Sequence, residues 1–124
     1  MGSNVLIVDD SATMRKVIMR SLRLAGVQNG DLVEAQDGLE GMLALEKQSF
    51  DLVFSDINMP NMDGYEFVAK VAELMGRNAP PVIVVTTESG EEFTRKVRRM
   101  GAKGYLKKPF TVQSMKKAVE PFLK

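Results

Sequence analysis

The chain has 124 residues, 44% of them hydrophobic and 27% charged, with no cysteine and a formal net charge of +1. A chain of that length buries roughly two thirds of its unfolded surface, enough for one core, so residues 1–124 are expected to form a single domain. The lack of Cys excludes disulfides and thiolate metal sites, and the first apolar run is only four residues before two aspartates, which excludes a signal peptide or membrane span and makes the cytoplasm the expected compartment.

Strand-like and helix-like patterns alternate five times. Val5–Val8 is a continuous apolar strand, and Ser11 can cap a helix whose apolar residues Met14, Val17, Ile18, Leu22 and Ala25 recur at helical spacing until Gly26 ends it. Leu32–Ala35 is a weaker second strand, followed by a helix from about Leu39 to Glu46. The third strand runs from Leu52 to Asp56, and residues 58–64 read as a loop from their Pro, Asn and Gly content. A helix from Tyr65 to Met75 leads through Pro80-Pro81 to the fourth strand, Val82–Val85. The fourth helix covers Glu91 to Met100, Gly101 and Gly104 bracket a turn, and the fifth strand, Tyr105–Lys107, is short. The last helix is expected from Val112 to Phe122, with Val112, Met115, Val119 and Phe122 on one stripe. With no linker and no repeat, this alternation predicts a doubly wound (βα)₅ α/β fold with a five-stranded parallel sheet.

In an open parallel sheet, sites form outside the carboxyl ends of the strands. Four apolar runs here end on chemically useful groups: Val5–Val8 on Asp9 and Asp10, Leu52–Ser55 on Asp56, Val82–Val85 on Thr86, and Tyr105–Lys107 on Lys108. Each has an ordinary explanation alone, since an Asp pair after a strand makes a turn or cap, Thr favours strands and Lys favours surfaces. At one sheet edge they predict a metal-assisted phosphoryl site. Three clustered carboxylates raise one another's pKa values, so cations are needed to hold them ionised, and Lys108 with a hard divalent ion such as Mg²⁺ can do so. A clamped Asp56 can then act as nucleophile on a phosphoryl group whose charge the cations offset. The Lys108-Pro109 bond, if cis, offers a way to turn the lysine inward.

Charge is unevenly distributed. Through Ser89 there are 13 acids against 7 bases, and from Gly90 onward 3 acids against 10 bases. The bases Arg95, Lys96, Arg98, Arg99, Lys103, Lys107, Lys116 and Lys117 thus form either a basic patch or ordinary solvated helix faces.

In this order and spacing, Val8-Asp9-Asp10-Ser11, Asp56-Ile57-Asn58-Met59-Pro60 with Met62-Asp63-Gly64, Thr86, Gly104-Tyr105 and Lys108-Pro109-Phe110 resemble the receiver domain of bacterial response regulators, most closely its stand-alone chemotaxis members. The resemblance spans nearly the whole chain and implies a flavodoxin-like sheet of order 2-1-3-4-5. It implies a phosphorylation-activated switch of a two-component system, with Asp56 as phosphoacceptor. Asp9 and Asp10 would be the acidic pair for Mg²⁺, or for Mn²⁺ in its place, and the backbone carbonyl of Asn58 would complete the protein's ligands beside Asp56. Thr86 and Lys108 would bind phosphoryl oxygens, Thr86 and Tyr105 would switch the face made by the fourth helix, fifth strand and fifth helix, and Asn58 and Glu88 would tune dephosphorylation. Thr87 departs from the family, which usually carries Ala, Gly or Ser there; its bulk is expected to narrow access to Asp56 or hinder Tyr105.

The partners implied are a histidine kinase of the CheA type as phosphodonor and a downstream protein such as a flagellar motor switch component or a phosphatase. The protein is expected to act as a monomer, or to dimerise on phosphorylation, with no enzyme activity beyond self-catalysed phosphoryl acceptance and autodephosphorylation. Direct nucleic-acid binding is not expected, since no helix-turn-helix has room after the last helix. Other readings fit less well. A haloacid-dehalogenase-like phosphatase needs a second acid where Asn58 stands, an FMN phosphate would meet the acidic loop Asp9-Asp10-Ser11-Ala12-Thr13, and no Gly-x-Gly-x-x-Gly or Walker lysine is present. Retention of all five site residues argues against a receiver used only for docking without phosphorylation.

Overall fold

Parallel strands covered on both faces need apolar residues at nearly every position, and β3 (Leu52–Asp56) and β4 (Val82–Thr86) are buried along their whole length. With β1 (Ser3–Val8), β2 (Asn29–Ala35) and β5 (Gly104–Lys107) they form one parallel sheet in the order β2-β1-β3-β4-β5. These features come from a computed structural model, which describes residues 2–123. The strands alternate with α1 (Ala12–Leu24), α2 (Gly38–Lys47), α3 (Gly64–Met75), α4 (Glu91–Met100) and α5 (Val112–Val119), and a 3₁₀ turn, Gly76–Asn78, follows α3. The (βα)₅ reading and the 2-1-3-4-5 order both hold.

The period of two along each strand divides the core. Val5, Ile7, Phe54, Ile83, Val85 and Leu106 pack with Ile18 and Leu22 of α1 and Met115 and Val119 of α5. Leu6, Val8, Val53 and Val84 face the other way, against Leu45 of α2, Phe67, Val68 and Val71 of α3, and Val97 of α4. Ser11, Asp37, Asp63 and Thr111 cap α1, α2, α3 and α5, each side chain accepting a backbone N–H three residues on.

Three boundaries differ from the sequence expectation by two residues or more. β2 begins at Asn29 rather than Leu32, because the side chain of Asn4 accepts the N–H of Asp31 at 2.8 Å and so extends the pairing through residues 29–31. β1 likewise begins at Ser3, with a register irregularity between Ser3 and Val5. α5 ends at Val119 instead of Phe122: Pro121 has no N–H for the next helical bond, and Phe122 and Leu123 both donate back to the carbonyl of Val119. Val17 and Val112, expected on core-facing stripes, are exposed, at 41% and 37%.

Candidate functional site

The sheet brings the expected residues to one edge. Asp9 and Asp10 follow β1, Asp56 ends β3, Thr86 ends β4, and Lys108 follows β5. Main-chain bonds fix the strand ends, with Asp9 N–H donating to the carbonyl of Ala35 at 3.0 Å and Lys108 N–H to that of Thr86 at 2.7 Å. Asp9, Asp10 and Asp56 each offer a carboxylate oxygen, and these oxygens lie within 4.8 Å of one another. Asp9 and Asp56 are buried while Asp10 is exposed, so the cluster is open to solvent on one side.

Each buried carboxylate has defined partners. Asp56 accepts the N–H of Ile57 on Oδ1 at 2.7 Å, and Asp9 accepts that of Ser11 on Oδ1 at 2.9 Å. The Lys108 ammonium stands 3.4 Å from Oδ2 of both. Burial is the main cause that holds the Asp9 carboxyl above the ordinary carboxylate value, and the charge of Asp56 adds to it; the Ser11 N–H and Lys108 pull the other way without cancelling the rise. One ammonium thus stands against two buried carboxyl groups, and Asp10 adds a third acid to the cluster. Hard oxygen donors, excess negative charge and one solvent-facing ligand are a donor set suited to a divalent cation that keeps part of its water shell.

Thr86 is buried, and its hydroxyl accepts the N–H of Glu88 at 3.3 Å. Thr87 and Asn58 are exposed. Lys108-Pro109 is a cis peptide bond. Tyr105 is half-buried, its ring edge-on to Phe93 of α4 with centroids 5.7 Å apart. All eight bases of the expected patch are exposed. They lie on α4 and α5, in β5, and at Lys103 just before β5, so the structure gathers them on adjoining elements.

Several supporting residues escaped sequence reasoning. Gly64 donates to the carbonyl of Ile57 at 2.7 Å, and a Cβ there would fall on the carbonyl oxygen of Asp56, so only glycine allows α3 to start this close to the acidic centre. Its signal was present in the Met62-Asp63-Gly64 motif but not its steric cause. Asn61 takes a positive φ of 66° and donates to Asp37 at 2.7 Å, tying the loop after β3 to the start of α2. Tyr65 donates its hydroxyl to Glu88 at 3.3 Å and carries the Lys96 ammonium 4.1 Å from its ring centroid. Residues from three elements meet there, and no spacing in the sequence announces it.

Comparison with known proteins gives this edge a context. The profile of the family described as response regulator receiver domain matches residues 5–120. A chemotaxis protein CheY homolog of Campylobacter jejuni subsp. jejuni is 38% identical over 120 residues, covering 96% of this chain and 91% of the relative. Among solved structures, chemotaxis response regulator CheY4 of Vibrio cholerae superposes with a TM-score of 0.86 at 34% identity, over 99% of this chain and all of that one. The CheY of a CheX-CheY-BeF3-Mg²⁺ complex from Borrelia burgdorferi gives 0.84 at 28% identity, over 98% and 90%. The match over nearly the whole chain, on a sheet of the same fold, is decisive: the chain belongs to the response regulator receiver domain family, whose members are phosphorylation-dependent switches of two-component signalling.

Proposed function

We propose that the protein is a chemotaxis response regulator that takes a phosphoryl group on Asp56 from a histidine kinase of the CheA type in the cytoplasm. The observation that carries this reading is the double restraint on Asp56, whose Oδ1 is held by the Ile57 N–H while Oδ2 faces Lys108. A carboxylate fixed in this way and partly open beside Asp10 is a preorganised nucleophile. Its oxygen attacks the phosphorus of the donor, the P–N bond to the donor imidazole breaks, and the departing nitrogen takes up a proton. Lys108 and the Thr86 hydroxyl hold the transferred oxygens. Asp9, Asp10, Asp56 and the backbone carbonyl of Asn58 would hold Mg²⁺ or Mn²⁺, which when bound supplies positive charge against the phosphoryl oxygens.

Readout follows from Thr86. Drawing its hydroxyl toward a phosphoryl oxygen gives up the bond from Glu88 N–H, and Tyr105 moves inward from its edge contact with Phe93. That reshapes the α4-β5-α5 face, on which a downstream protein such as a flagellar motor switch component or a phosphatase docks. The protein acts as a monomer, and its own groups perform acceptance and autodephosphorylation. The test is intact mass after incubation with acetyl phosphate. Wild type should gain one phosphoryl group only when Mg²⁺ is present, and Asp56→Asn none; equal labelling of Asp56→Asn would place the acceptor elsewhere.

A further inference from the structure

Glu88 is exposed, yet its side chain is tethered. The Tyr65 hydroxyl donates to its Oε2 at 3.3 Å. Tyr65 follows Gly64, which packs directly against the Asp56 carbonyl, and Glu88 stands two residues beyond Thr86, to whose hydroxyl its N–H donates. The Tyr65–Glu88 bond therefore bridges the start of α3 and the segment after β4, along the rim beside Asp56 and Thr86. The phenol ring is held from α4 as well, by the Lys96 ammonium 4.1 Å from its centroid. Burial first, then the charge of Glu88, raises the Tyr65 hydroxyl above its ordinary pKa, so it remains a protonated donor at neutral pH.

We infer that Tyr65 is a positioning residue for the hydrolytic step: by strapping Glu88 across the α3 side of the site, its hydroxyl lengthens the life of the phosphoryl group on Asp56. The inference rests on Asp56 being the phosphoacceptor and adds a residue that governs how long the signal lasts. In hydrolysis a water attacks the phosphorus, the P–O bond to Asp56 breaks, and the carboxylate leaves with the electron pair. One proton of the water stays on the inorganic phosphate and the other passes to solvent. A strapped Glu88 narrows the approach of that water and spends its Oε2 on the phenol. Released, it clears the rim and can accept a hydrogen bond from the attacking water, which favours the same step.

Tyr65→Phe removes the hydroxyl but keeps the ring and its contact with Lys96. Protein labelled with acetyl phosphate and Mg²⁺ is freed of donor, and loss of label is followed by intact mass. Tyr65→Phe should label on Asp56 as wild type does and lose the label several-fold faster. In a Glu88→Ala background, adding Tyr65→Phe should change the decay no further, since the two residues act through one bond. Equal or slower decay in Tyr65→Phe, a variant that no longer labels, or the same fold-change with and without Glu88 would each overturn the inference. Wild type that fails to label would instead remove the Asp56 reading, and this one with it.

Discussion

The β1–β3 centre of the sheet and its α4–β5 flank are packed to different standards. Val5, Leu6, Ile7, Leu52, Val53 and Phe54 are all 0% exposed, whereas α4 buries only Val97 and β5 only Leu106. Asp9 and Asp56 project from the first region, so their carboxylates are held by a core with no room to shift. Tyr105 and Phe93 belong to the second, meeting edge-on and both only half-buried. The contrast suits a switch: chemistry needs fixed geometry, while a response needs an element whose alternative arrangement costs little.

Substitutions of matched aromatics measure the contrast directly. Phe54→Ala should cost about 3–5 kcal/mol in denaturant unfolding, as expected for a fully buried aromatic, while Phe93→Ala should cost about 1 kcal/mol. Equal losses would show that α4 is as tightly built as the centre, and the division into fixed and yielding halves would fail.

The stiffness of the centre is bought with electrostatic strain, which a milder change can relieve. In EDTA, Asp9→Asn should stabilise the protein by about 1 kcal/mol at neutral pH, raising its Tm, and should lose most of the Mg²⁺-induced rise seen in wild type. The pH dependence has a definite sign. Asp9 titrates above its ordinary 3.8 in the folded protein, so the folded state binds the extra proton and its stability falls as pH rises from 3.8 through the elevated value. Asp9→Asn should remove that slope. Thermal melts across pH in EDTA check both points, and an undiminished Mg²⁺ effect in the variant would place the cation elsewhere.

The two regions also differed in how openly the sequence declared them. Runs such as Val82–Val85 declare a strand buried on both faces, and a parallel sheet carries the residue after each run to a common edge; Asp9, Asp56, Thr86 and Lys108 were legible for that reason. The start of β2 was not, because its pairing depends on the Asn4 side chain rather than on apolar residues. The strap of Tyr65, Glu88 and Lys96 was equally hidden. Its members sit on α3, the segment after β4, and α4, and only the packing of those elements decides that a tyrosine, an acid and a lysine meet.

A smaller effect concerns access to the fixed centre from the yielding side. Thr87 is exposed next to the buried Thr86. Thr87→Ala should speed labelling by acetyl phosphate several-fold, a barrier change of at most about 1 kcal/mol, with little effect on Mg²⁺ affinity. Rapid-mixing kinetics measure the rate, and identical rates would mean that the threonine methyl points away from the path of the donor.

In the proposed mechanism a phosphoryl group taken up at the rigid centre is read out at the flank. Amide hydrogen exchange with and without beryllofluoride and Mg²⁺ tests it most directly, because each segment reports its own opening. Protection should change from Thr87 through Lys107 and into α5, with the strands of β1 and β3 unchanged. Altered protection spread over β1 and β3, or confined to α1 and α2 with none in α4 and β5, would contradict it.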